Sequence, residues 1–178
     1  MKCKLYLDFD GVVNAVEPQH SEIETFSIPI ENSRFLKNPS LITYSPNVIN
    51  TLDRLREQYN MELIWLTTWN DRSDILLTSP YLKGLDGGRV ITPMLNEEAK
   101  NKAEWTQWKA DAIIADQTAE PAPYIWVDDN AHQHHSQTVD HHTRHITKLF
   151  VTPQSRWGLT NDDLNQIEAF LQTASLNH

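Results

Sequence analysis

In the stretch KLYLDFDGVVNA, residues 4–15, an apolar run ends at Asp8, and Asp10 follows just before Gly11. Two carboxylates that close repel each other unless a positive group lies between or beside them. A second pair, Asp128 and Asp129, closes the apolar run of PYIWVDDN, residues 123–130. If both pairs meet, four carboxylates share one patch, which is costly to keep ionised without a cation. An all-oxygen donor set suits magnesium better than zinc, so Asp8, Asp10, Asp128 and Asp129 are the candidate metal ligands. Carboxylate-held magnesium normally completes its shell with waters and substrate phosphate, which points to phosphate chemistry. A carboxylate can also attack phosphorus itself, forming an aspartyl-phosphate.

For these residues to meet, the runs that carry them must lie side by side. Residues 3–7, MELIWLTTW (61–69), PYIWVDDN (123–130) and TKLFVTP (147–153) are apolar runs that end in polar residues. Helical stretches separate them. SPNVINTLDRLREQY places Ser45 as N-cap and Pro46 at the first helical position, with Val48, Leu52 and Leu55 on one face. A second helix is expected around Thr106 to Asp116. A last one, capped by Thr160, carries Leu164, Ile167, Phe170 and Leu171 as its stripe. Strands without clean alternation, separated by amphipathic helices, predict an α/β fold with a doubly wound parallel sheet. Ligands bind beyond the carboxyl ends of such strands, where Asp8, Thr67 and Asp128 fall. Residues 16–44, with ETFSIPIENSRFL and PSLITY, stand outside the alternation and are expected to form a small flap or cap after the first strand, within a single domain spanning 1–178.

Composition narrows the setting. Lys and Arg total 15 against 24 Asp and Glu, a net charge of -9, which gives no general attraction to a polyanion. The one cysteine, Cys3, excludes an internal disulfide and a cysteine-based zinc cluster. It is expected to be a buried, inert thiol in a reducing cytoplasm. No apolar run approaches the roughly 20 residues of a membrane span, and no leader pattern is visible, so no membrane partner is expected.

Several motifs match a known family. DFDGV resembles the first motif of the haloacid dehalogenase-like (HAD) superfamily, LIWLT its second, an apolar strand closing on Thr or Ser, and YIWVDD the two-aspartate form of its fourth. The longer stretches LITYSPNVINTLDRLREQYNMELIWLTTWND, WKADAI, IWVDDN and RWGLT are similar to the HAD domains of Swiss Army Knife RNA repair proteins and their free-standing relatives. The resemblance implies a HAD-type Rossmannoid fold and a magnesium-dependent phosphatase. Asp8 would be the nucleophile and Asp10 the acid and then the base, the metal taking only the latter's backbone carbonyl. Thr67 would hydrogen-bond the phosphoryl group, Asp128 with Asp129 would carry Mg2+, and a lysine would hold Asp8 ionised. A second aspartate two residues after the nucleophile resembles the phosphatases and phosphomutases of the superfamily. The implied substrate is a phosphorylated small molecule or a nucleic-acid end. A phosphotransferase or mutase on the same scaffold and a non-catalytic metal-binding module are the rival readings.

The lysine has three candidates, Lys100, Lys102 and Lys109. A helix opening at Thr106 puts Lys109 in its first turn, and WK before the helix matches the closer relatives; an earlier start favours Lys102. Gly11 is expected to permit a turn that aims backbone N–H groups at phosphate. Thr68, Trp69, Asn70 and Arg72 are candidate substrate contacts, with Thr68 interchangeable with Thr67 if the alignment slips by one. Trp65 and Trp126 are expected to pack in the core, and Arg156 and Trp157 to reach the rim. Residues 132–145 hold six histidines that could bind a transition metal. The simpler reading is a solvated loop.

Overall fold

The computed structural model describes residues 2–28, 40–69, 85, 87–91 and 98–176. In chain order the elements are β1 (Lys4–Leu7), β2 (Glu24–Ile28), β3 (Ser40–Tyr44), α1 (Pro46–Gln58), β4 (Glu62–Trp65), β5 (Arg89–Val90), α2 (Lys102–Ala119), β6 (Tyr124–Val127), α3 (Ala131–His142), β7 (Lys148–Val151) and α4 (Asn161–Leu176). Strands β5-β4-β1-β6-β7 form one parallel sheet in that order. The fold is therefore α/β with a doubly wound parallel sheet. The two-residue β5 was too short to register in the sequence pattern.

The central strands β1, β4 and β6 are apolar after their first residues, Lys4 in β1 and Glu62 in β4, because both faces are covered. Leu5, Leu7, Leu63, Trp65, Ile125 and Val127 pack on one side with α1 and α4, while Tyr6, Ile64, Tyr124 and Trp126 pack on the other with α2 and α3. The expected faces of α1 and α4 are the buried ones: Val48, Leu52 and Leu55 in the former, Leu164, Ile167 and Leu171 in the latter. Ser45 occupies the N-cap position of α1, but its side chain caps nothing. Thr160 does cap α4, its hydroxyl accepting from Asp163 N–H at 3.3 Å while the Asp163 carboxylate accepts from Thr160 N–H at 2.9 Å. Burial pushes the Cys3 thiol up to about 12, so at neutral pH it is a small apolar side chain rather than a nucleophile.

Two features position the site. The register sets Leu7 beside both Trp65 and Val127, so the residues that follow, Asp8, Leu66 and Asp128, emerge at one level. In addition, β1 lies between β4 and β6, so the chain crosses to opposite sides of it and leaves a crevice at the strand ends. In the stretch expected to form the flap, β2 and β3 pair antiparallel, outside the main sheet; residues 29–39 between them lie outside the described set. The pair is tied to the loop after β1, where Ala15 N–H donates to Thr43 O at 2.9 Å.

Two expectations need correction. The second helix begins at Lys102, not Thr106, because Asn101 caps it: its side chain accepts from Glu104 N–H at 3.0 Å, and Glu104 reaches back to Lys100 N–H at 2.8 Å. The histidine-rich segment is not a loop either, since most of it is α3. His135 shares its ring nitrogen with Thr106 Oγ1 and Ala103 O, both at 3.0 Å. His132 lies edge-on to Trp126 with centroids 4.5 Å apart, and burial pushes its pKa down to about 4. Both rings are buried, neutral packing groups on the face toward α2 and the sheet, whereas His134, His141 and His142 face outward.

Candidate active site

Asp8 and Asp128 are both buried at adjacent strand ends, and Lys109 reaches between them. Its ammonium donates to Asp8 Oδ2 at 2.5 Å and to Asp128 Oδ2 at 2.6 Å. Their remaining oxygens are held by backbone. Asp8 Oδ1 accepts from Phe9 N–H at 2.7 Å, and Asp128 Oδ1 accepts from Asn130 and Ala131 N–H at 2.9 and 2.6 Å, at the start of α3. This asymmetry separates the two acids. Burial works to raise Asp128, but Lys109 and the two helix-start N–H groups outweigh it and hold its carboxyl below the usual range. Burial dominates at Asp8 and pushes it up to about 7, against Lys109 and a Thr67 hydrogen bond and with Asp128 adding repulsion. Burial also works against the charge on Lys109, yet Asp8 and Asp128 win and keep it protonated.

One ammonium for three carboxylates leaves the cluster short of positive charge. Asp8, Asp128 and Asp129 each offer an oxygen, and these atoms lie within 4.8 Å of one another. Such a donor set fits a hard divalent cation. Asp129 is held for that geometry: Oδ2 accepts from Asn130 Nδ2 at 2.7 Å and from the Ser155 hydroxyl at 2.5 Å. Gly11 makes room for it. At φ 74° a Cβ on Gly11 would stand 2.5 Å from Asp129 Oδ2, so both backbone and space require glycine here.

Asp10 is set apart from the three. Its Oδ1 accepts from Asn14 Nδ2 at 2.7 Å and its Oδ2 from Trp69 Nε1 at 2.8 Å. Exposed, and pinned by two neutral donors, it sits on the same open cleft as Asp8, Thr68, Lys102, Trp105, Lys109 and Asp129. The cleft has a volume of about 610 Å³. Leu41 and Val16 on the flap side line it too, with 64% and 74% of their surface exposed.

The expected site residues are distributed as follows. Asp8, Lys109, Asp128 and Asp129 converge, with Thr67 buried beside Asp8 and Thr68 on the cleft wall. Lys109 stands at the carboxylates although the helix starts early, since Lys102 and Lys109 are seven residues apart and share a face about two turns apart. Lys102 lines the cleft further out and is exposed, with no ion pair among the described residues. Trp69, a candidate substrate contact, is not among the residues that line the cleft, though its indole N–H reaches Asp10 there. Its ring is buried against Phe9, centroids 4.8 Å apart, because the short turn after β4 folds it back over the core. Gly11 N–H is spent on Asn14 O at 2.7 Å, and Val12, Val13 and Asn14 N–H all turn to Phe9 O, so the expected aim at phosphate is replaced by room for Asp129. Arg156 pairs with Glu17 at 2.8 and 2.9 Å. Asn70 and Arg72 lie outside the described residues. Asn14 and Ser155 escaped the sequence reading. Asn14 had one signal, its place four residues after Asp10 in a tight loop; Ser155 had none.

Neither a curated protein nor a solved structure matches this chain. Residues 4–164 match the family described as the HAD domain in Swiss Army Knife RNA repair proteins, a span that runs from β1 into α4 and holds every residue of the cluster. The chain belongs to that family of HAD domains.

Proposed function

We propose that this domain is a magnesium-dependent phosphohydrolase working through an aspartyl-phosphate at Asp8, on a phosphate ester for which a phosphorylated polynucleotide end is a candidate. The observation that carries the reading is a buried carboxylate, Asp8, paired to Lys109 at 2.5 Å on the wall of an open cleft that a second, separately held carboxylate, Asp10, also lines. Asp8, Asp128 and Asp129 would hold Mg2+, with the backbone carbonyl of Asp10 a further candidate ligand. When bound, the cation supplies charge neutralisation to the cluster and to the phosphoryl oxygens.

In the first step a carboxylate oxygen of Asp8 bonds to phosphorus as the ester P–O bond breaks. The departing oxygen keeps that electron pair and takes a proton from the Asp10 carboxyl. In the second step Asp10 accepts a proton from water as the water oxygen attacks phosphorus, the P–O bond to Asp8 breaks, and inorganic phosphate leaves. Lys109 stabilises the ionised nucleophile before attack and spreads the charge that develops in transfer. Thr67, hydrogen-bonded to Asp8, and Thr68 on the cleft wall are candidate phosphoryl contacts. With the small β2–β3 pair beside it, the cleft stays open to a large substrate.

Hydrolysis of p-nitrophenyl phosphate with and without magnesium, comparing wild type and Asp8→Asn, tests this reading. Metal-dependent turnover in the wild type and none in the variant is expected. Persistent turnover by Asp8→Asn would overturn the mechanism, and inactivity of both on every phosphate ester tried, oligonucleotide 3′- and 5′-phosphates included, would leave only a metal-binding module.

A further inference from the structure

Asp10 has no ion-pair partner among the described residues, and two neutral donors from separate parts of the chain hold one of its oxygens each. Asn14 reaches Oδ1 from the loop after β1, and Trp69 reaches Oδ2 from the turn after β4. Each donor is fixed by something else. The Trp69 ring is buried against Phe9, which lies between Asp8 and Asp10 in the chain. Asn14 is spanned in both directions, because its amide oxygen accepts from Thr43 N–H of β3 at 2.9 Å while its amide nitrogen donates to Asp10. Its backbone closes the loop as well, through Gly11 N–H to Asn14 O at 2.7 Å. An exposed carboxylate held by its own backbone would need neither donor.

We infer that Trp69 and Asn14 are positioning residues that fix the Asp10 carboxyl for proton transfer to the leaving oxygen, Asn14 also coupling that carboxyl to the β2–β3 pair. The inference rests on the phosphohydrolase reading above. It goes further by giving roles to two side chains that touch neither phosphorus nor metal. A carboxyl free to rotate about its side-chain bonds spends little of its time aimed at the departing oxygen, and proton transfer by a positioned acid is worth on the order of a hundredfold or more. An ester whose leaving group is a weak base departs without that proton, whereas an alkoxide needs it.

The test therefore compares two substrates within each variant. Trp69→Phe keeps an aromatic ring against Phe9 and removes the N–H together with the five-membered ring that carries it; Asn14→Ala removes both the donor to Asp10 and the acceptor for Thr43. The ratio of kcat/KM on an alkyl phosphate to that on 2,4-dinitrophenyl phosphate is measured for wild type and both variants. Because kcat/KM reports the steps up to phosphoryl transfer to Asp8, it carries the leaving-group dependence. The ratio should drop by about tenfold in each variant. Asn14→Ala should also raise KM on both esters, since it releases the β2–β3 pair. Equal losses on both substrates, or an unchanged ratio, would overturn the inference while leaving the Asp8 chemistry standing. The activated ester doubles as the check that each variant folds, and if one fails to fold the other carries the test. A wild type that hydrolyses neither ester, by contrast, sinks the underlying reading.

Discussion

At the scale of single residues, Lys109 decides whether the site can exist. It pairs with two carboxylates that are themselves buried, and removing one partner of such a group leaves charge with nothing to offset it. Lys109→Met should cost about 3–5 kcal/mol in urea unfolding without metal, and less with saturating magnesium, which would take over part of the neutralisation. Equal losses with and without magnesium would count against a cation site at these carboxylates. Asp8 gives the pH dependence. Its folded pKa is raised to about 7, so between the ordinary carboxylate range and that value the folded protein holds a proton that the unfolded chain has released. The metal-free protein should therefore lose stability as pH rises through that window. Magnesium competes with the same proton. Its Kd, read by calorimetry, should rise by about tenfold for each unit of pH below about 7 and level off above it. At Gly11, alanine brings a Cβ to 2.5 Å from Asp129 Oδ2 at φ 74°, so Gly11→Ala should both weaken magnesium binding, read by calorimetry, and lower Tm.

At the scale of elements, the cap of α2 is a clean probe because it lies away from the cleft chemistry. Asn101→Ala removes the acceptor for Glu104 N–H and should cost about 1 kcal/mol in denaturant unfolding, with kcat unchanged because Lys109 is held two turns further on. The elements also explain what the sequence could and could not reveal. Asp8, Thr67 and Asp128 were readable because each ends an apolar run, and parallel pairing brings such ends together whatever the details of the loops. The start of α2 was readable in principle from Asn101 and Glu104, but the apolar pattern becomes helical only later. The histidine-rich α3 was hidden for a different reason. Its buried face is built from His132, His135, Ala131 and Val139, and two of those four are histidines held by ring contacts and hydrogen bonds rather than by hydrophobic periodicity. Trp69 was misplaced because its sequence position fixes proximity to the site but not which way the ring turns. Ser155 acquires meaning only from a partner 26 residues away, a contact that no local pattern encodes, whereas Asn14 had its nearness to Asp10 as a signal but not the turn that joins them.

At the scale of the whole molecule, the acidic surplus bears on substrate choice. A protein of net charge -9 repels a polyanion at a distance, and among the described residues Lys102 and Lys109 are the lysines that line the cleft. If a phosphorylated oligonucleotide is the substrate, kcat/KM should rise when salt is raised from about 20 to about 200 mM, as screening removes the repulsion. A steep fall over that range would instead mark a basic tract elsewhere in the chain. No helix among the described residues is long and apolar enough to cross a membrane. The covalent intermediate on Asp8 can be seen directly. Asp10→Asn should still accept a phosphoryl group from 2,4-dinitrophenyl phosphate in the presence of magnesium, since that leaving group needs no proton, but should release it slowly for want of a base. Acid quench followed by peptide mass spectrometry should place one phosphoryl group on the peptide that carries Asp8, and none when Asp8→Asn is added. Steady hydrolysis by the wild type, with no phosphoryl group found on that peptide in either protein, would contradict the central claim.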